Sequence, residues 1–259
     1  TVTGTEFISN TATGVAGGVY ARSGALLTGA LFERNQASTY GGGIYSLATV
    51  TATGATFISN TVTNAFGGGN GGGLYIDGGD AFFADSTFAG NLAGAFGGGA
   101  SVSGATVISG GAFEGNSAGM SGGALNIIHT LTVSGTQFIR NTATTAMGGG
   151  IYAQRDTVLT NARFERNWAG YRGGGLYSLY PVTATGTVFV NNTANTDSGG
   201  GALVINAVLS GGTFQGNRAG ASGGALAIIP GGSLVANDIP LIDNTAGVNG
   251  GAIHLAGTT

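Results

Sequence analysis

The chain has 259 residues, only 7% of them charged, and a formal net charge of −3, so it carries no basic stripe for nucleic acid or an acidic membrane surface. All eight cations are Arg, which removes lysine Schiff-base chemistry and Walker-type phosphate loops; with no Cys there is no disulfide, zinc-thiolate site or thiol nucleophile. Gly supplies 54 residues, yet hydrophobic residues make up 42% and recur in register, which argues for order over a flexible low-complexity chain.

The first element, Phe7-Ile8-Ser9-Asn10, recurs along the whole chain. Its second copy, Phe32-Glu33-Arg34-Asn35, leads through five mostly small or polar residues to Gly41-Gly42-Gly43-Ile44-Tyr45. The Asn members are Asn10, Asn35, Asn60, Asn91, Asn116, Asn141, Asn167, Asn192, Asn217 and Asn244, with steps of 25, 25, 31, 25, 25, 26, 25, 25 and 27 residues. A fixed period near 25 in a Gly-rich chain reads as a solenoid. Between each Gly pair and the next Phe, segments such as Ala48-Thr49-Val50-Thr51-Ala52-Thr53 and Thr132-Val133-Ser134 alternate with period two and are rich in β-branched residues. No segment has a capped helical stripe, so the expectation is an all-β chain of parallel strands and tight corners. A coil of this length has a contour of roughly 80 Å, enough for three short strands, and ten coils stacked at about 4.8 Å make a rod on the order of 48 Å long.

Stacking places equivalent residues directly above one another. Phe7, Phe32, Phe57, Phe88, Phe113, Phe138, Phe164, Phe189 and Phe214, closed by Leu241, should form an internal stack of rings. The Asn ladder should occupy a corner in a left-handed backbone conformation, its amides bonding to the coils above and below. Gly pairs such as Gly122-Gly123 and Gly174-Gly175 suit a second corner needing positive φ or close approach. After them Val19, Ile44, Leu74, Ile151 and Leu176 should point inward and Tyr20, Tyr45, Tyr75, Tyr152 and Tyr177 outward.

Phe-x-x-Asn followed by Gly-Gly-Ala-(Ile/Leu/Val), as in Phe113 to Leu125 and Gly250-Gly251-Ala252-Ile253, resembles the repeats of bacterial polymorphic outer membrane proteins, the chlamydial Pmp-like family. The resemblance covers all ten repeats. It implies a right-handed parallel β-helix displayed at a cell surface, often as an autotransporter passenger with adhesive roles.

A second level of repetition divides residues 1–259, read as one β-helix domain, into two five-coil blocks, about 1–131 and 132–259. Phe32-Glu33-Arg34-Asn35 returns as Phe164-Glu165-Arg166-Asn167, and Val50-Thr51-Ala52-Thr53-Gly54 as Val182-Thr183-Ala184-Thr185-Gly186. The segment from Gly250 to Thr259, written before Thr1 to Asn10, restores a 25-residue step from Asn244 to the Asn10 of a following copy. The expectation is head-to-tail stacking into a homopolymer through Thr1, Val2, Thr3, Thr5, Phe7, Ile253, Leu255, Thr258 and Thr259, a heterologous contact that does not close. The competing reading is an excerpt from a longer tandem array, in which the same phase match is covalent.

Chemistry is sparse. β-Helix lyases and hydrolases need carboxylates converging from adjacent coils, whereas Glu33, Glu114 and Glu165, or Asp85 and Asp238, share registers at least two coils apart, so no enzyme and no cofactor is expected. The lengthened third step holds Gly67-Gly68-Gly69-Asn70-Gly71-Gly72-Gly73 and Asp77-Gly78-Gly79-Asp80; a calcium site there competes with a solvated loop, the favoured reading. The outward tyrosines either cover the sheet as a ladder or stack surface glycans. Trp168 with Tyr171 and Arg172 is the most ligand-like aromatic group outside that row, and His129 and His254 read as ordinary residues half a chain apart. The expected role is a structural subunit of an extracellular or bacterial cell-surface fibre, with no nucleic acid and no membrane insertion by this segment. An adhesin passenger is the alternative and a carbohydrate lyase or hydrolase a third reading. No run approaches the roughly 18 apolar residues of a membrane span.

Overall fold

The computed structural model describes residues 1–64 and 68–257. Each Phe lies at the centre of a three-residue strand, and these strands pair in parallel register, Phe7 on Phe32, Phe32 on Phe57, and so on to Phe214 on Leu241. Ten strands form this sheet, and ten two-residue strands just after each Asn form a second. The third sheet has 18 strands and takes two segments from most coils, as in Leu125–Ile127 and Leu131–Ser134. Most coils thus hold four strand segments where the sequence suggests three, because a bend separates the strand after the Gly pair from the β-branched strand that follows. Toward the C-terminal end that bend straightens, and Ala202–Ser210 and Leu226–Asn237 run through it as single strands. The result is a parallel β-solenoid of the right-handed type with ten coils.

Alternation along the strands sends one row inward from each. The core holds Phe32, Phe57, Phe88, Phe113, Phe138 and Phe164, all with no exposed surface, beside rows that include Ile44, Leu74, Leu125 and Ile151. Consecutive Phe rings stack at 4.5–5.3 Å between centroids and 3–12° between planes. Transfer of each such side chain from water is worth about 1.5–3 kcal/mol.

The Asn ladder differs from expectation in one respect. The left-handed residue is the one before each Asn: Ser9, Arg34, Ser59, Arg140, Arg166, Asn191 and Asp243 have φ of 51–56°, with Gly90, Gly115 and Gly216 at 60–63°. That corner turns the Asn side chain inward, and Asn35, Asn60, Asn91, Asn116, Asn141, Asn192 and Asn217 are fully buried. Each buried amide is completely used. Asn116 Nδ2 donates to Asn141 Oδ1 at 3.0 Å and to the Phe88 carbonyl at 2.9 Å, while Asn116 Oδ1 accepts the backbone N–H and Nδ2 of Asn91 at 3.0 and 2.9 Å. This pattern repeats between successive coils to Asn244, so between its two ends the buried polar column carries no unmet group among the described residues.

The Gly clusters serve both expected purposes. Gly97 has φ of 65°, whereas a Cβ on Gly98 would overlap the Gly123 carbonyl oxygen and one on Gly99 would lie 2.9 Å from the Ala124 oxygen. Glycine here lets neighbouring backbones reach sheet spacing.

Candidate functional site

Two kinds of surface stand out: the coil faces at either end of the stack, and a groove along its flank. On the first coil, Val2–Thr3, Glu6–Ile8, Thr11–Ala12 and Val19–Ala21 each pair with the second coil along one edge and have the other edge free among the described residues. On the last, Thr245–Ala246, Ile253–Leu255 and the Ser233–Asn237 part of Leu226–Asn237 are likewise paired along one edge. Phe7, Val2 and Ile253 are half-buried against the core, while Thr1, Thr3, Thr5 and Leu255 are exposed. Thr258 and Thr259, and Gly67 of the third step, lie outside the described residues.

The Asn column ends with complementary groups. Asn10 donates its backbone N–H and Nδ2 to Asn35 Oδ1, and among the described residues nothing donates to its own Oδ1. Asn244 Oδ1 accepts from Asn217 and its Nδ2 donates to the Phe214 carbonyl, but its backbone N–H has no acceptor there. One face therefore presents an acceptor where the other presents donors. A coil laid on the last face would set Asn10 over Asn244, Thr11 over Thr245 and Val19–Ala21 over Ile253–Leu255. Val2–Thr3 would then meet the end of the Leu226–Asn237 strand. Sequence phase does not identify these pairings, because it joins strands that are consecutive in the chain and not those stacked in space.

The flank is organised by the outward row of the strand after the Gly pair: Tyr20, Tyr45, Tyr75, Ser101, Asn126, Tyr152, Tyr177, Leu203, Ala227 and His254. Outward does not mean bare. Tyr45 and Tyr177 keep only 9% and 3% of their surface exposed, because residues just before the Gly clusters rise beside them. Tyr40 packs on Tyr45 at 5.5 Å and on Tyr75 at 4.9 Å. Arg172 lies beside Tyr177 in a cleft of ≈ 330 Å³ that extends to Leu203, Ile229, Pro230 and His254. Further clefts of ≈ 170 Å³ around Tyr75, Ser101 and Asn126, and ≈ 220 Å³ around Tyr152, Arg155 and Tyr180, lie along the same line of rungs.

Burial sets the electrostatics of this groove. It is the leading cause that raises Tyr75, Tyr152 and Tyr177, and burial followed by the Asp77 carboxylate pushes Tyr45 up to about 12. The Tyr45 hydroxyl donates to Asp77 Oδ2 at 3.2 Å. Burial alone would raise Asp197, but hydrogen bonds from Arg172, Ser198 and Tyr171 outweigh it and hold the carboxyl low; Arg172 Nε donates at 2.7 Å. Arg172 also stacks over Tyr171 at 4.5 Å.

The remaining candidates do not converge. Asp80 Oδ1 accepts the Ala105 backbone N–H at 2.9 Å, Asp77 is engaged by Tyr45, and among the described residues no three His, Asp or Glu side chains gather to hold a metal. Glu33, Glu114 and Glu165 each pair with an arginine, Arg34, Arg140 and the Arg163–Arg166 couple respectively. Trp168 belongs to another sheet, between Thr142 and Thr193. His254 shares a rung position with Asn126, whereas His129 lies three residues beyond that position, so the two histidines are not equivalent. A second outward row, Leu26, Phe82, Val107, Val158, Val208 and Val235, leaves 41–51% of each residue exposed along the flank, a stripe the sequence reading passes over.

The model of the Chlamydia polymorphic membrane protein repeat matches residues 29–47, the stretch that carries Phe32, Asn35, Gly41-Gly42-Gly43 and Tyr45. No curated protein and no solved structure matches the chain.

Proposed function

We propose that this chain is a rigid structural element of a bacterial cell surface, whose coil faces are continued by further coils through head-to-tail stacking of copies. The observation that carries the reading is the polarity of the Asn column, which offers the Asn10 acceptor at one face and the Asn244 backbone N–H at the other. Stacking would also cover Phe7 and Ile253, and would pair edge strands that otherwise leave backbone groups to water. Further coils in the same polypeptide would use the same groups in the same way, so the reading does not depend on where the polypeptide ends. The repeat match over residues 29–47 supports the surface location.

The chain of residues 1–259, purified and concentrated, tests this by sedimentation and electron microscopy. Growth into filaments with the width of one solenoid is expected. Solitary rods on the order of 48 Å long at every concentration would overturn the stacking reading.

A further inference from the structure

The tyrosine row has a gap. Tyr20, Tyr45 and Tyr75 stack ring on ring at 5.4 Å, and Tyr152 and Tyr177 do so at 5.5 Å, but the two rungs between them are Ser101 and Asn126. Four rungs at about 4.8 Å apart place Tyr75 and Tyr152 roughly 14 Å from each other, and short side chains leave the space between them open as the ≈ 170 Å³ cleft. Asn126 lines this cleft with 4% of its surface exposed. Its Nδ2 donates to Ser101 Oγ at 2.9 Å, and among the described residues its Oδ1 has no partner. Turning the amide over only exchanges which of its two polar atoms is left without a partner. Asn70, on the flanking row, also lines the cleft; its side chain hydrogen-bonds Tyr75, and among the described residues its Oδ1 has no partner. Unmet buried acceptors are uncommon and costly, so two at one cleft mark a place shaped for donors from outside.

We infer that this gap is a binding subsite for a neutral saccharide, with a pyranose ring occupying the missing tyrosine rungs. The class follows from the lining. Tyr75 and Phe96 supply aromatic surface for the C–H face of a sugar, and the amides of Asn126, Asn70 and, at the rim, Gln154 serve hydroxyl groups at its edge, the two covered asparagine oxygens being reached by a turn of their side chains. Among the described residues no Asp, Glu, Arg, Lys or His lines the cleft, which leaves an anionic sugar without a counter-charge. An aromatic side chain of a protein partner would fill the slot but could bring at most one donor to two acceptors. The subsite lies on the flank and is independent of what happens at the coil faces.

Chitohexaose, cellohexaose and maltohexaose, with hexagalacturonate as the anionic comparison, provide the probes for calorimetric titration of the chain of residues 1–259. At least one neutral hexasaccharide binds, and more tightly than hexagalacturonate. Asn126→Tyr, which continues the tyrosine row into the gap, weakens that binding at least tenfold while the melting curve shows the protein folded. Asn126→Leu serves the same purpose should Tyr disturb folding, because Leu203 occupies the equivalent rung further along. Absence of binding by all three neutral sugars, preference for the anionic one, or equal binding by a folded Asn126 variant would overturn the inference.

Discussion

Asn91 and Asn116 are joined by two hydrogen bonds to a single atom: the backbone N–H and the Nδ2 of Asn91 both donate to Asn116 Oδ1, at 3.0 and 2.9 Å. The same two residues lie 25 apart in the sequence, so one side chain sets both the register and the closeness of adjacent coils.

Replacing Asn116 by Leu keeps the volume near that of the amide but strands the Asn91 backbone N–H and takes one hydrogen bond each from Asn91 Nδ2, the Phe88 carbonyl and Asn141 Oδ1 in the core. Loss of about 3–5 kcal/mol is expected, read as a lower urea midpoint. Asn10→Leu should cost much less, because Asn10 is exposed and satisfies fewer partners.

Two glycine substitutions separate backbone strain from coil contact. Gly135 has φ of 63° with nothing within 4 Å of an added Cβ, so Gly135→Ala costs about 1–2 kcal/mol for the left-handed conformation alone. Gly98→Ala drives a methyl into the Gly123 carbonyl of the next coil and should lower the melting temperature far more, or prevent folding.

Thr106 is an inward rung between Ala81 and Leu131, 1% exposed, and among the described residues its hydroxyl has no hydrogen-bond partner. Thr106→Val keeps the β-branched shape and removes the unmet group. A gain of about 1–2 kcal/mol in stability is expected from thermal or urea unfolding.

Tyr45 should ionise late. Its folded value of about 12 lies above the unfolded value near 10, so the stabilisation it contributes is complete below pH ~10 and is lost as pH rises from there through about 12. Ultraviolet titration of tyrosinate should show a high-pH component, shared with Tyr75, Tyr152 and Tyr177, that Tyr45→Phe diminishes. A titration unchanged by that substitution would contradict the burial of Tyr45.

Much of this architecture is legible in the chain because the solenoid turns a sequence period into a vertical column. Phe32 and Phe57 are 25 residues apart in sequence and stacked at 4.9 Å in space. What escapes the sequence reading lies where residue type does not repeat. The left-handed corner is at Ser9, Arg34, Ser59 and Gly90, a position without constant identity, so attention falls instead on the invariant Asn beside it. The occasional Gly there, at residues 90, 115 and 216, is the available signal. The groove escapes for a similar reason: Tyr40, Asn70, Phe96 and Arg172 form its near wall from within the variable stretch before each Gly cluster. Even the gap at Ser101 and Asn126 becomes visible only once those residues are seen as rungs of the tyrosine row.

The most direct test of the stacking claim uses the absence of native cysteine. Thr11 and Thr245 are exposed, outward and at equivalent positions of the first and last coils. They lie nine rungs apart within one copy, roughly 43 Å, but about 4.8 Å apart across a head-to-tail junction, a separation a disulfide can span. The Thr11→Cys, Thr245→Cys double variant should therefore give, on mild oxidation, a ladder of covalent multimers in a non-reducing gel, while either single variant stops at dimers. A double variant that remains monomeric, or that stops at dimers as the single variants do, would contradict head-to-tail stacking.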